Sequence, residues 1–259
     1  MIALITGGAA NGKSYFAENL ARTLPGPSIY LNTMRPYSAD SAQEAARHAP
    51  PADFVRIDCY TALSELRLPL RGVIVLECLC NLLDNELFSA RTPDPVASIL
   101  RGIDALAEQC SDLLLVTNEI GCGCQEYTES TLHYLDTLGR LNRAAAARAD
   151  VVLEIVAGIP VVHKGTFPVQ LPPGDRGLTL ILGGAASGRY ACAKALGFSD
   201  ADLDQRRVIL RPETGCGIIP ATPALRAHRG EDGRTNILLA RQAGTVIRMV
   251  CGIPIYLKK

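Results

Sequence analysis

Short, mainly apolar runs recur between Met1 and about Gly165, and stretches with helical spacing separate most of them. The runs are IALIT at the start, VIVL before Glu77, LLLV before Asn118, and VVLEIV and IPVV on either side of Gly158. Continuous apolar runs of this length are typical of parallel strands covered on both faces. Helical spacing over Pro95–Gln109 and Thr128–Arg148 lies between them. The alternation predicts a doubly wound α/β fold with a mainly parallel sheet, whose ligand lies at the carboxyl ends of the strands.

A glycine-rich turn joins the first apolar run to the first helical stretch. Gly7, Gly12, Lys13 and Ser14 fit the pattern G-x-x-x-x-G-K-[ST] between a strand and a helix. In this pattern main-chain N–H groups wrap a phosphate, the lysine reaches the β and γ phosphates, and the serine hydroxyl binds Mg²⁺. We therefore predict Lys13 as a catalytic residue. The predicted nucleotide-binding residues of the turn are Gly7, Gly8, Ala9, Ala10, Asn11, Gly12, Lys13 and Ser14. The alternative is a glycine-rich turn that binds nothing.

An acidic residue at the end of a neighbouring strand completes such a phosphate loop, because it holds the metal ion or its water. Glu77 follows the apolar run Val73 to Leu76 and meets this requirement. We predict a Mg²⁺ site formed by Ser14 and Glu77, with ATP or GTP as substrate.

Composition narrows the class of protein. The 259 residues are 48% hydrophobic, which is enough for a large buried core. The 26 basic and 26 acidic residues cancel, so no overall positive field favours nucleic acid. Nine cysteines without zinc-ligand spacing suggest reduced thiols, and no apolar run is long enough to span a membrane. We therefore expect a soluble cytoplasmic protein that does not bind nucleic acid.

Six segments, taken in order, resemble the bifunctional adenosylcobinamide kinase / adenosylcobinamide-phosphate guanylyltransferase family. They are ITGGAANGKSYFAE, SIYLNT, ARHAPPADFVRID, VIVLECLCNLLDNELF, VTNEIGCG and GRLNRAAAARADVVLEIVAGIPVVHKG. The resemblance covers Met1 to about Gly165. It implies a RecA-like P-loop NTPase fold and a role in cobalamin assembly. The expected enzyme phosphorylates the aminopropanol hydroxyl of adenosylcobinamide and then transfers GMP from GTP to that phosphate through a GMP-histidine intermediate.

The resemblance also implies further site residues. His48 stands in the place of the family nucleophile, and a neutral imidazole can attack the α phosphorus of GTP. The alternative for His48 is a solvated histidine at a helix end. Asp58 stands where the family has a glutamate and can accept hydrogen bonds from ribose or guanine, and Thr33 ends SIYLNT. We expect Thr33, Asp58 and Glu77 to bind nucleotide, and we expect a homo-oligomer with sites near subunit contacts.

An internal repeat follows the segment that ends at Gly165. Eleven residues of the first part recur 94 positions later, namely Glu119, Gly121, Cys122, Gly123, Gly139, Arg140, Asn142, Gly158, Ile159, Pro160 and Lys164. A constant offset through so many matches indicates a duplicated unit. Gly12 and Gly188 lie much further apart than this offset, so the second copy lacks a long segment from its middle. We predict a kinase and guanylyltransferase domain at 1–165, a linker at 166–177, and a truncated repeat at 178–259.

The second phosphate loop lacks the residues that carry the chemistry. Arg189 and Tyr190 replace the lysine and the metal-binding hydroxyl, so this loop should not transfer phosphate. The second copy nevertheless keeps Arg226 and Arg229 of the family pattern, which the first copy lacks. We predict that these two arginines contribute to the site of the first copy. The alternative is a degenerate copy kept for packing.

Two other functions stay open at this stage. The chain could be a P-loop kinase or nucleotidyltransferase for another small alcohol, or a nucleotide-dependent scaffold or binding protein. Retention of Lys13, Ser14 and Glu77 favours an enzyme, because scaffolding needs no metal ligands.

Overall fold

The computed structural model describes residues 1–37, 50–121, 126–217, 220 and 222–259. Its strands are β1 (Ile2–Thr6), β2 (Ser28–Asn32), β3 (Val55–Asp58), β4 (Val73–Leu76), β5 (Asp112–Val116), β6 (Val151–Val156), β7 (Ile159–Lys164), β8 (Asp175–Gly183), β9 (Val208–Pro212), β10 (Ala243–Val250) and β11 (Ile253–Lys258). Its α-helices are α1 (Lys13–Thr23), α2 (Leu79–Asp84), α3 (Pro95–Gln109), α4 (Glu129–Arg148), α5 (Arg189–Ala195), α6 (Asp200–Asp204) and α7 (Pro223–Gln242). A 3₁₀ turn spans Leu63–Glu65, and a π-helical turn spans Asn85–Ser89.

The larger sheet has seven strands in the order β3-β2-β4-β5-β1-β6-β7. The pairs β1–β5, β1–β6, β2–β3, β2–β4 and β4–β5 are all parallel. The segments Ala3–Ile5, Val73–Leu76 and Leu113–Val116 are at most 2% exposed, which explains why these strands are continuous apolar runs. The predicted mixed α/β fold with a mainly parallel sheet is confirmed, and it is consistent with a P-loop NTPase-like fold.

The two helices predicted from spacing are also confirmed. The helix α3 has the predicted bounds, because the Asp94 side chain accepts a hydrogen bond from Ala97 N and Pro95 occupies the first turn. The helix α4 starts one residue later than predicted, since Thr128 is its N-cap and accepts from Thr131 N.

A second, smaller sheet has the order β11-β10-β8-β9. Strand β8 is parallel to β9 and β10, and β10 is antiparallel to β11. One face covers a cluster that includes Leu180, Leu182, Ala240 and Val246. The other covers a cluster of Ile181, Cys192, Ala193, Val208, Ile247 and Met249.

Two compact units make up the chain. The first unit comprises Met1–Thr6, Lys13–Glu154 and Val162–Phe167, and the second comprises Gly7–Gly12, Ile155–Val161 and Pro168–Lys259. The residues of the phosphate loop therefore belong to the second unit, while β1 and α1 belong to the first. The boundaries expected from the sequence, at 165 and 178, stay a prediction. Within the described parts of the chain, no helix is long and apolar enough to cross a membrane.

Candidate active site

The loop between β1 and α1 adopts a conformation that requires its glycines. Gly7, Ala10 and Gly12 have φ values of 134°, 62° and 91°. A Cβ at position 7 would lie 2.6 Å from the carbonyl oxygen of Ile155, so no larger residue fits there. Ala10 holds a left-handed conformation that costs an alanine of order 1 kcal/mol, which the surrounding contacts must offset.

The side chain of Asn11 braces this loop. It is 3% exposed, and its Oδ1 accepts a hydrogen bond from Ala157 N at 3.0 Å. Its Nδ2 donates to the carbonyl oxygen of Thr214 at 3.1 Å, and its own carbonyl accepts from Gly158 N at 3.0 Å. The sequence predicts Asn11 as a nucleotide-binding residue, and in the structure its side chain binds the main chain of Ala157 and Thr214, which lie outside the loop.

Replacing Asn11 with alanine should lower the free energy of unfolding by about 1–3 kcal/mol, because the buried Ala157 N–H loses its acceptor. Urea denaturation of both proteins measures the change. Asn19→Ala is the control, since the Asn19 side chain accepts an exposed hydrogen bond from Arg22, whose loss should cost less than about 0.5 kcal/mol. Equal costs for the two variants would contradict the bracing role of Asn11.

Lys13 is the first residue of α1 and is only 7% exposed. The nearby thiol of Cys80 responds to its charge. The hydrogen bond from Cys78 is the largest influence that lowers the pKa of Cys80, and the positive charge of Lys13 lowers it further. The predicted lysine is therefore buried at the start of α1.

Glu77 directly follows β4 and is 5% exposed. The hydroxyl Oγ1 of Thr33 lies 2.8 Å from the carbonyl oxygen of Cys78 and 3.3 Å from Oε2 of Glu77. Thr33 is fully buried and follows β2, the strand next to β4. Two of the predicted nucleotide-binding residues, Thr33 and Glu77, are therefore in contact. Thr33 orients the carboxylate in addition to any direct contact with a ligand.

Asp58 ends β3, on the other side of β2. Its Oδ1 accepts hydrogen bonds from Asn32 Nδ2 at 2.7 Å and from Arg56 Nε at 2.8 Å. Burial by itself raises the pKa of Asp58, but these hydrogen bonds outweigh it, so the pKa lies below its ordinary value. Asp58 therefore carries a negative charge near neutral pH. A ribose or guanine that donates a hydrogen bond to Asp58 must therefore share Oδ1 with Asn32 and Arg56 or use Oδ2.

Sequence reasoning missed Asn85 and Tyr37. Asn85 is 1% exposed, and its Nδ2 donates to the carbonyl oxygen of Thr33 at 2.9 Å. Its Oδ1 accepts from the hydroxyl of Tyr37, which also lies 2.9 Å from Ser89 Oγ. Asn85 opens the π-helical turn, a distortion that often marks functional sites. The stretch LLDNELF offered no spacing that singles out Asn85.

Three further residues that the sequence predicts for the site are His48, Arg226 and Arg229. His48 lies outside the described residues. Arg229 donates to the carbonyl oxygens of Gly217 at 3.1 Å and Gly215 at 3.4 Å, and burial lowers its pKa. Arg226 donates to the carbonyl oxygen of Pro220 at 3.2 Å. Both arginines thus bind the main chain of the segment that precedes their own helix.

Tyr190 is the residue that the sequence predicts in place of the metal-binding serine. It is 51% exposed, and its hydroxyl donates to Asp200 Oδ1 at 2.9 Å. This contact directs the phenol toward α6.

Comparison with known proteins assigns a family. The model of the family described as cobinamide kinase / cobinamide phosphate guanyltransferase matches residues 3–163. The bifunctional adenosylcobalamin biosynthesis protein CobU of Salmonella typhimurium (strain LT2) is 33% identical over 182 residues, which is 63% of this chain and 100% of that protein. CobU of Escherichia coli (strain K12) is 29% identical over 182 residues, again 63% of this chain and 100% of that protein.

A third relative is the bifunctional adenosylcobalamin biosynthesis protein CobP of Pseudomonas aeruginosa, 31% identical over 169 residues, or 62% of this chain and 96% of that protein. Among solved structures, flagellar accessory protein FlaH from Methanocaldococcus jannaschii aligns with a TM-score of 0.35 and 14% identity. That alignment covers 65% of this chain and 82% of FlaH, and a likeness of this size carries no argument about function.

Proposed function

This chain belongs to the cobinamide kinase / cobinamide phosphate guanyltransferase family, and we propose that it phosphorylates adenosylcobinamide and then guanylylates the product in cobalamin biosynthesis. The observation that carries the proposal is the burial of both Lys13, at the start of α1, and Glu77, directly after β4. A phosphate loop kept only as a tight turn would need neither a buried lysine nor a buried carboxylate.

The kinase step uses the loop and the strand ends in distinct roles. The hydroxyl of the aminopropanol group attacks the γ phosphorus of ATP or GTP, and the bond from that phosphorus to the β-γ bridging oxygen breaks. Main-chain N–H groups of the loop bind the phosphates, and Lys13 balances the charge that develops during transfer.

Magnesium fits the donors that the first unit offers. Mg²⁺ prefers hard oxygen ligands and usually combines one or two carboxylates with substrate phosphates and water. Ser14 supplies a hydroxyl, and Glu77 supplies a carboxylate oriented by Thr33. Across the described ranges, no group of three or more His, Cys, Asp or Glu residues could hold a metal ion without the nucleotide. Bound Mg²⁺ would neutralise charge on the phosphates, and Ser14 and Glu77 are the residues that would hold it.

The guanylyl step rests on His48 and on family membership. The imidazole attacks the α phosphorus of GTP, a nitrogen–phosphorus bond forms, and pyrophosphate leaves. An oxygen of adenosylcobinamide phosphate then attacks the same phosphorus and releases the histidine. A cytoplasmic location and a homo-oligomeric state belong to the same proposal.

Cobinamide-dependent turnover tests the proposed substrate. Purified full-length protein is incubated with Mg²⁺, ATP or GTP, and either adenosylcobinamide or free 1-amino-2-propanol. The proposal predicts nucleotide consumption and a phosphorylated product with adenosylcobinamide only. Turnover with the free amino alcohol alone would indicate a kinase for small alcohols. Nucleotide binding without turnover on either compound would indicate a nucleotide-dependent binding protein.

We also propose that residues 178–259 are a truncated, degenerate repeat of the first domain. The strand order β9-β8-β10-β11 parallels the order β5-β1-β6-β7. Hydrogen bonds recur at the same offset of 94 positions. Asn142 Nδ2 donates to the carbonyl oxygen of Asn118 at 3.1 Å, and Asn236 Nδ2 donates to that of Pro212 at 3.0 Å.

Further details support the repeat. Lys164 Nζ donates to the carbonyl oxygen of Ala146 at 2.9 Å, and Lys258 Nζ donates to that of Ala240 at 3.3 Å. Corresponding glycines of the two copies also have similar φ values. Gly12 and Gly188 have 91° and 90°, and Gly158 and Gly252 both have 80°.

Arg226 and Arg229 form part of this proposal as donors from the second copy to a substrate phosphate. Arg226→Ala should lower kcat/KM by about 10-fold, or about 1.4 kcal/mol of transition-state binding, and leave stability within about 0.5 kcal/mol. Steady-state kinetics and thermal unfolding measure both effects. Arg241→Ala, an exposed arginine in the last turn of the same helix, is the control. Unchanged turnover in folded Arg226→Ala would assign this arginine to packing alone.

A further inference from the structure

The main chain of the phosphate loop is bonded to a segment far away in the sequence. Ala9 N donates to the carbonyl oxygen of Gly215 at 2.9 Å, and Asn11 Nδ2 donates to that of Thr214 at 3.1 Å. All four residues belong to the second unit. The carbonyl oxygens of two consecutive residues, Thr214 and Gly215, therefore accept hydrogen bonds from the loop. These bonds fix the loop at Ala9 and Asn11.

Two glycines permit this close approach. Gly215 has a φ of 98°, and a Cβ there would lie 2.1 Å from the carbonyl oxygen of Ala9. Gly233, on helix α7, faces the next residue of the loop, and its Cβ would lie 2.4 Å from the carbonyl oxygen of Ala10. Real Cβ atoms do not approach main-chain oxygens so closely, so a side chain at either position must displace the loop.

The segment that holds the loop is itself anchored. Glu213 accepts hydrogen bonds from Arg248 Nε at 2.9 Å and Nη2 at 2.6 Å, and both side chains are largely buried. Arg229 donates to the carbonyl oxygens of Gly215 and Gly217. Bidentate ion pairs of this kind are geometrically specific, so Gly215 offers a fixed surface to the loop.

We propose that Gly215 and Gly233 are positioning residues, which hold the phosphate loop in the conformation that binds nucleotide. They act through Ala9 and Ala10 and need not touch the nucleotide. Preformed N–H groups bind phosphate without a further cost in ordering, whereas a displaced loop must be reordered on binding. The inference rests on the proposed function, in which this loop binds nucleotide. It gives the C-terminal residues a role although the second loop, at Gly188 and Arg189, should transfer no phosphate.

The chain supplies matched controls for both glycines. Gly139 stands 94 positions before Gly233 at the corresponding place of α4, and a Cβ there would meet no described atom outside the backbone of its own helix within 4 Å. Gly121 corresponds to Gly215 in the same way, and among the described residues a Cβ there would come nearest to Glu119 Oε1, at 3.5 Å. An alanine at Gly215 or Gly233 therefore clashes with the phosphate loop, whereas an alanine at Gly121 or Gly139 does not.

The experiment compares Gly233→Ala with Gly139→Ala in the full-length protein. Calorimetry measures the Kd for Mg²⁺-bound ATP or GTP without cobinamide, thermal unfolding measures the folded state, and kinetics separates nucleotide KM from kcat. We expect Gly233→Ala to weaken nucleotide binding and raise KM about 10-fold, with a smaller change in kcat. Gly139→Ala should bind as the wild type does, because alanine suits a helix better than glycine. Gly215→Ala and Gly121→Ala should repeat the contrast.

Wild-type affinity in folded Gly233→Ala, or an equal loss in Gly139→Ala, would overturn the inference. If Gly233→Ala does not fold, Arg248→Gln decides, because it breaks the ion pair that anchors Glu213 and adds no side chain to the contact with the loop. It should speed amide hydrogen exchange at Ala9 and weaken nucleotide binding several-fold, and unchanged exchange and affinity would overturn the inference. Wild-type protein that binds nucleotide but does not phosphorylate adenosylcobinamide would contradict only the proposed function.

Discussion

Lys13→Ala should reduce cobinamide-dependent nucleotide turnover by at least about 100-fold, which is about 2.7 kcal/mol of transition-state stabilisation. In the proposed mechanism, the substitution removes the positive charge that meets the transferring phosphate. Lys13 is 7% exposed, so its charge acts in a site largely closed to water, where electrostatic interactions are strong. Initial rates at saturating nucleotide and cobinamide, with thermal unfolding as a check of the fold, measure the loss.

Arg189→Ala is the matched control for Lys13→Ala. Arg189 begins α5 and, in the proposed repeat, corresponds to the lysine. This loop should transfer no phosphate, so turnover should stay within a factor of about two, in line with the small effects of most surface substitutions. Greater damage from Arg189→Ala in a folded protein would mean that the two loops have exchanged roles.

His48→Asn should abolish covalent labelling of the protein by GTP and leave the kinase step active. The wild type, incubated with Mg²⁺ and GTP labelled at the α phosphate, should retain acid-labile label, as expected for a nitrogen–phosphorus bond. Asparagine keeps a polar side chain of similar size but has no nucleophilic ring nitrogen. Acid precipitation followed by scintillation counting measures the label, and cobinamide phosphorylation is followed in parallel.

His163→Asn is the control for His48→Asn. His163 is half exposed, and its Nε2 lies 2.9 Å from Glu154 Oε2. Labelling should persist in this variant. Label that survives His48→Asn would exclude His48 as the nucleophile, and an unlabelled wild type would leave an enzyme with kinase activity alone.

The sequence predicts those parts of the fold and site that depend on neighbouring residues. Strand β1 and helix α1 follow from an apolar run, a glycine turn and helical spacing, and helix α3 follows from helical spacing over Pro95–Gln109. Glu77 was predicted because it directly follows a buried run. Local patterns of this kind determine strands and helices, but they do not determine the order in which the strands pair.

The missed features depend on contacts between distant residues. Asn85 binds the carbonyl of Thr33 across 52 positions of the chain, and Asn11 binds that of Thr214 across 203. No spacing within either segment reveals such a partner. The repeat predicted a second glycine-rich segment at Gly215, but its contact with Ala9 required the structure.

The most direct measurement supplies GTP as the sole nucleotide to full-length protein, Mg²⁺ and adenosylcobinamide, and follows the corrinoid by mass spectrometry over time. If the chain is a cobinamide kinase and guanylyltransferase, adenosylcobinamide gains one phosphate first and this product then gains GMP, with Lys13→Ala blocking the first step and His48→Asn only the second. A corrinoid that stays unmodified while GTP is bound or consumed would contradict both proposed activities.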